Sequence, residues 1–240
     1  MDKRTFSSLE SYMLSCMKDA AHDKAHIYRV LYHALDIAKT ENNVDYDVLI
    51  CSCLLHDIGR KEQFETPSLC HATVGGEKAY CYLMDHNFNH QFALRVKHCI
   101  ETHRYRKNNI PQTIEAKILF DADKLDATGA MGIARTLLYQ GIVSEPLYTF
   151  LQDGSISDGS RDVSASFFRE YKYKLEKIYS KFYTEQARKI GMERKFAAES
   201  FYNNLLREVT ETYQNGQTEL LFLLSEVNYE DLYNMRQHEV

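Results

Sequence analysis

The chain has 240 residues, 44% hydrophobic and 12% aromatic, which excludes collagen-like and disordered classes and suffices for a sizeable core. Only 3 prolines and 10 glycines interrupt it, too few turn formers for a β-sandwich or barrel, so an all-α fold is expected. With 29 basic against 34 acidic side chains, a net charge of −5 and no basic stripe, duplex nucleic acid is not an expected partner, whereas a small phosphorylated ligand needs only a local pocket.

In chain order, the N-terminal stretch lacks an apolar run of signal-peptide type. No run of about 18 apolar residues follows, so no membrane partner is expected. Residues 24–40 carry a helical stripe of Ile27, Val30, Leu31, Ala34, Leu35 and Ala38, with Asp23 as a candidate cap. Residues 46–58 are nearly all apolar, predicting a helix buried on most sides and stopped by Gly59. Helices are expected over 71–86 and 89–103, with Asn87 between them. After Pro111, residues 112–122 turn from apolar to acidic, and 126–140 are expected to be helical despite Gly129 and Gly132.

Pro146, Gly154 and Gly159 mark a loop over 141–162. Residues 163–213 predict one long or two consecutive amphipathic helices, with a last helix over 217–228. The expected organisation is a single domain over 1–240: a helical core (1–140), a loop (141–162) and a C-terminal helical layer (163–240). That layer also offers a homodimer surface. Six cysteines without a CxxC pair fit buried thiols in a reducing cytosol, hence a cytoplasmic protein.

Nine of ten histidines fall before residue 104, and Asp121, Asp123 and Asp126 cluster shortly after. His56-Asp57 ends an apolar run, where an imidazole and a carboxylate need compensation; a metal ion would supply it, as would a capping Asp beside a core His. His26, on a neighbouring helix, and Asp121, at the end of KILFDAD, complete two imidazoles and two carboxylates. That set suits one divalent ion: Mn2+ foremost, or Mg2+, Fe2+, Co2+ or Ni2+. Such an ion can polarise a phosphoryl oxygen and acidify a water.

The ordered pattern HDKAHIYRV, LLHDIGR, HATVGGEKA, IETHRYR and DADKLDATGAMGIAR resembles the HD superfamily of metal-dependent phosphohydrolases, over roughly residues 20–135. The resemblance extends to about residue 212 for the subgroup containing nucleotide pyrophosphohydrolases. It implies an HD-domain helical core with additional C-terminal helices, and a metal held by His26, His56, Asp57 and Asp121. It also implies a nucleotide substrate, with (deoxy)nucleoside triphosphates hydrolysed to monophosphate and pyrophosphate. Phosphomonoesterase or cyclic-nucleotide phosphodiesterase action, or non-catalytic nucleotide sensing, are the alternatives. The subgroup often has a His shortly before the KL of its long helix, where this chain has EYKYKL with Glu170.

Around the metal set, Asp57 is expected to act in catalysis. His71 and His103 are candidates for contacting phosphate or protonating a leaving oxygen. Lys124 is a candidate for catalysis and for substrate binding as a point charge. Arg60 and Lys61 sit where a triphosphate would lie. Asp126 is a candidate for substrate binding or for orienting a ligand. Asp123 is read as a helix cap.

Overall fold

A computed structural model describes residues 1–17, 24–106 and 108–225. The helices are α1 (Lys3–Cys16), α2 (Lys24–Ala38), α3 (Tyr46–Leu55), α4 (Arg60–Glu65), α5 (His71–Asp85), α6 (His90–Thr102), α7 (Ile114–Leu125), α8 (Gly129–Ile142), α9 (Phe167–Glu170) and α10 (Glu185–Leu224). No strand forms among the described residues; Phe150 and Ile156 make an isolated antiparallel bridge. Among the described residues, no helix is long and apolar enough to cross a membrane. The all-α expectation holds. The six cysteines are unpaired.

The centre of the fold is α3, whose Val48, Leu49, Cys51, Cys53, Leu54 and Leu55 are fully buried. A helix apolar on every side must be wrapped by others, and α1, α2, α6 and α7 pack around it. Burial of each such Leu or Ile side chain contributes about 1.5–3 kcal/mol. Asp45 starts this helix by accepting from the backbone N–H groups of Asp47 and Val48. The helix ends at Leu55, three residues short of the expected boundary, so His56 and Asp57 lie in a turn rather than on a helical face.

Gly59 acts differently from a left-handed helix stop, since its φ is −95°. A Cβ there would lie 2.3 Å from the His71 carbonyl oxygen and 2.6 Å from the Gly75 amide nitrogen. Its bare backbone lets the start of α5 press against the His56–Asp57 turn. Asn87, between α5 and α6, adopts a left-handed φ of 61°. The cap expected at Asp23 lies outside the described residues.

The C-terminal region differs from its expected form. A short α9 leads into a π-helical turn (Tyr171–Leu175) and a 3-10 turn (Ile178–Ser180), followed by one 40-residue helix, α10. The segment read as a separate last helix continues α10 to Leu224, and residues 226–228 lie outside the described residues. A second buried cluster, with Ile133, Phe167, Phe168, Tyr171, Leu175, Ala198 and Tyr202, holds this layer together. Arg194 of α10 donates to the Leu125 carbonyl at 3.0 Å and to His33 Nε2 at 3.2 Å, tying the layer to α7 and α2.

Candidate metal centre

Five elements deliver polar groups to one buried place. His26 sits in the first turn of α2, and His56 and Asp57 in the turn after α3. His71 begins α5, His103 caps the end of α6, and Asp123 lies in the last turns of α7. His26, His56, Asp57, His71 and His103 are each at most 4% exposed. The Asp123 side chain is 13% exposed, which marks its side as the one nearest solvent.

Each imidazole is oriented through its Nδ1. That of His56 lies 2.8 Å from the Cys53 carbonyl and that of His103 2.6 Å from the Ile100 carbonyl, so both N–H groups donate to oxygens freed at helix C-termini. His71 Nδ1 donates to Gln63 Oε1 at 2.5 Å, and His26 Nδ1 to Asp126 Oδ2 at 2.6 Å. With Nδ1 carrying the hydrogen, a neutral ring presents a bare Nε2 lone pair. These lone pairs converge in two couples, His26 with His56 at 3.4 Å and His71 with His103 at 3.2 Å. Lone pairs so close repel unless a cation lies between them.

The carboxylates complete each couple. Asp57 Oδ2 is 3.6 Å from His26 Nε2 and 3.8 Å from His56 Nε2. Asp123 Oδ1 is 3.5 Å and 4.0 Å from the same atoms. Ligands about 2.0–2.2 Å from a shared ion stand about 3–4 Å from one another, so His26, His56, Asp57 and Asp123 fit a divalent ion. The other Asp57 oxygen, Oδ1, is 3.4 Å from His71 Nε2 and 3.7 Å from His103 Nε2.

The placement of Asp121 departs from the sequence expectation. Its oxygens accept from the Tyr183 amide at 2.9 Å, the Thr184 amide at 2.7 Å and the Thr184 hydroxyl at 2.7 Å. Successive helical residues are turned by about 100°, so residues 121 and 123 face nearly opposite ways on α7. One carboxylate anchors the start of α10 and the other meets the histidines. Burial raises the Asp121 pKa to about 6 against the effect of these hydrogen bonds. Asp123 is therefore not the helix cap expected of it. Residues 123 and 126, three apart, share one face of the helix, turned away from residue 121.

Asp126 is 1% exposed and surrounded. Besides His26 it accepts from Arg29 Nε at 2.6 Å and Nη2 at 3.1 Å, and from Arg135 Nη1. This geometry matches the orienting role; the carboxylate is engaged on its ligand side rather than aimed at a substrate. Arg60 Nε donates to Asp57 Oδ1 at 2.9 Å. Lys124 Nζ bonds Asp123 Oδ2 at 2.7 Å and the His103 carbonyl at 3.3 Å. Lys61, by contrast, pairs with Glu65 at 3.7 Å and is half exposed. Nothing brings it to the cluster.

Burial opposes ionisation of Asp57 and Asp123, yet neighbouring charges win. Arg60 and the histidines hold Asp57 well below the usual carboxylate range, and Lys124 with the histidines does the same for Asp123. Burial drives the His71 and His103 pKa values down to about 2 and about 3. With Nδ1 of each ring engaged, the two Nε2 atoms face each other and Asp57. For His26, burial works downward, but the carboxylates of Asp126, Asp57 and Asp123 around it raise its pKa overall.

Comparison with known proteins points the same way. Residues 24–128 match the HD domain. The Bacillus subtilis protein YpgQ is 27% identical over 207 residues, covering 84% of this chain and 92% of that protein. A crystal structure of B. subtilis YpgQ in complex with ADP superposes with a TM-score of 0.66 at 26% identity, covering 85% of this chain and 97% of that one. A protein from an uncultured Thermotogales bacterium, described as a predicted HD superfamily hydrolase, gives 29% identity and a TM-score of 0.55, covering 86% and 92%.

Proposed function

We propose that this chain, whose residues 24–128 match the HD domain, is a divalent-metal-dependent phosphohydrolase acting on nucleotides. The reaction we assign is hydrolysis of a (deoxy)nucleoside triphosphate to monophosphate and pyrophosphate. The observation carrying this reading is the convergence of two bare Nε2 lone pairs with Asp57 and Asp123 on one buried point. The nucleotide class is supported by the ADP bound to YpgQ.

His26, His56, Asp57 and Asp123 would hold the ion. When bound, it supplies Lewis acidity toward a phosphoryl oxygen and a water at neutral pH. The chain's own cations do the rest. Lys124 stands beside the most exposed ligand, Asp123, and is placed to attract phosphate oxygens there. Arg60, a third exposed and tied to Asp57, keeps that carboxylate ionised and would offer its remaining N–H groups to phosphate. Asp126, clamped by Arg29 and Arg135, fixes the ring of His26. The depth of the cluster limits water around the reacting phosphorus. Unpaired cysteines fit a cytoplasmic setting, and exposed Leu220, Leu221, Leu223 and Leu224 at the far end of α10 are the side chains a homodimer would cover.

The test is a nucleotide panel with Mn2+, Mg2+, Co2+ or Ni2+, with phosphate and pyrophosphate measured separately. Pyrophosphate release, abolished in Asp123→Ala, is the expected result. Release of phosphate alone would favour a phosphomonoesterase. Nucleotide binding with no product from metal-loaded protein would leave a sensor.

A further inference from the structure

We propose that His33 and Arg194 form a proton-operated latch, which holds the C-terminal layer against the end of α7 while the His33 ring is neutral and lets go when that ring takes up a proton. The latch lies outside the metal cluster. It goes beyond the hydrolase reading and stands whatever the substrate proves to be.

The geometry fixes the direction of the bond. Arg194 Nη2 lies 3.2 Å from His33 Nε2. A guanidinium carries only donors and keeps its charge at every accessible pH. Nε2 is therefore the acceptor, and the ring hydrogen sits on Nδ1. Protonation puts a hydrogen on Nε2, ends the bond and sets two cations face to face. The same guanidinium donates through Nη1 to the Leu125 carbonyl at 3.0 Å, an oxygen at the C-terminus of α7, where a cation is favoured. Its stem passes Gly129, whose φ is 60° and where a Cβ would meet the Arg194 Cβ at 2.9 Å. One side chain of α10 thus clasps both α2 and the turn of α7 that carries Asp123 and Asp126.

The charges around His33 decide which form the fold holds. The ring faces Arg194 of α10, Asp126 at the end of α7, and Asp36 and Arg29 of its own helix. Burial and the Arg194 charge outweigh the two carboxylates, so its pKa lies below the ordinary 6.5. Both carboxylates have donors already: Asp126 accepts from His26, Arg29 and Arg135, and Asp36 from Gln186 of α10 at 3.1 Å. An unfolded His33 titrates near 6.5 and the folded one lower. The latch is therefore whole above pH 6.5 and is lost as pH falls through the lowered value. With the latch open, the Gln186–Asp36 bond and the packing of α10 on α7 and α8 remain. The layer loosens and stays attached.

Amide hydrogen exchange of the intact chain tests this, read by mass spectrometry from about pH 8 to about pH 5 and corrected for the intrinsic exchange rate. Peptides from the first half of α10 should lose about tenfold or more in protection across that range, the worth of one hydrogen bond to a charged group. His33→Gln keeps a neutral acceptor and should hold its α10 protection throughout. His26 is present in both proteins, so the difference between them reports His33. Arg194→Gln should show the low protection at every pH. Wild-type α10 protection that acid leaves unchanged would overturn the proposal. So would an equal loss in His33→Gln, or full protection of Arg194→Gln at about pH 8. Should neither variant fold, nitrogen NMR of His33 in the wild-type chain decides. A hydrogen on Nδ1 and a midpoint below 6.5 support the latch; a hydrogen on Nε2, or a midpoint at or above 6.5, overturns it.

Discussion

The hydrogen bond between Asp126 and His26 is the most informative to break. In Asp126→Ala, His26 loses the acceptor 2.6 Å from Nδ1, the partner that fixes its ring and leaves Nε2 bare. Outer partners of this kind are worth about 10–100-fold in metal affinity, which is about 1.4–2.8 kcal/mol. The arginines contribute less. The Arg29 and Arg135 side chains are 27% and 38% exposed, so water can take up much of what Asp126 gave them. Asp126→Asn should fall between Ala and wild type, since its amide oxygen can still accept from His26 without the charge. The assay is Mn2+ affinity by calorimetry, beside kcat and KM for a nucleoside triphosphate. A weaker metal Kd, with activity restored at high Mn2+, is expected. An unchanged metal Kd with a raised KM would refute the reasoning and return Asp126 to the substrate.

The two aspartates of α7 should separate cleanly. Asp123→Ala should lose metal and activity with little change in thermal stability of the metal-free protein. Asp121→Ala should keep its metal but lower Tm, through three lost hydrogen bonds to a carboxylate, each worth about 1.5–3 kcal/mol; analysis of metal content beside a melting curve decides. Gly59→Ala would push a methyl group into the His71 carbonyl and the Gly75 amide, and a loss of at least about 1–3 kcal/mol is expected by denaturant titration. The pH dependence follows from His71 and His103, whose folded pKa values lie near about 2 and about 3 against an ordinary 6.5. Between those limits the unfolded chain binds protons that the folded chain does not. The stability from these groups is present above pH 6.5 and is lost as pH falls toward 3. Melting curves of chelator-treated protein should show this decline, and His71→Ala/His103→Ala should flatten it.

Much of the architecture was legible in the residues. The nearly all-apolar run 46–58 foretells a central helix because a solvent-facing helix would not carry it, and His56-Asp57 at its end stands out because buried charge needs a partner. The choice between Asp121 and Asp123 was harder. The apolar run stops at 122, so the sequence pattern alone carries no sign that one helix continues past both carboxylates and turns them apart. Continued to Leu125, the same helix puts 123 and 126 on one face and 121 on the other. Gln63 and the Ile100 carbonyl left no trace in sequence, since one is an ordinary polar residue and the other backbone. The break before α10 was equally hidden, for it depends on Asp121 accepting from the Tyr183 and Thr184 amides.

That last contact has a mechanical consequence. Helix α7 is a stiff rod carrying a foot on one side and a hand on the other: Asp121 is planted on residues 183 and 184, and Asp123 reaches toward His26 and His56. Losing that one carboxylate leaves the rod wedged among α2, α3 and α6, whereas losing residues 183 and 184 with the rest of α10 takes the floor away as well. The segment 24–128 thus carries the fingers of the centre but not its footing, and a chain trimmed to that segment would grip its cation loosely.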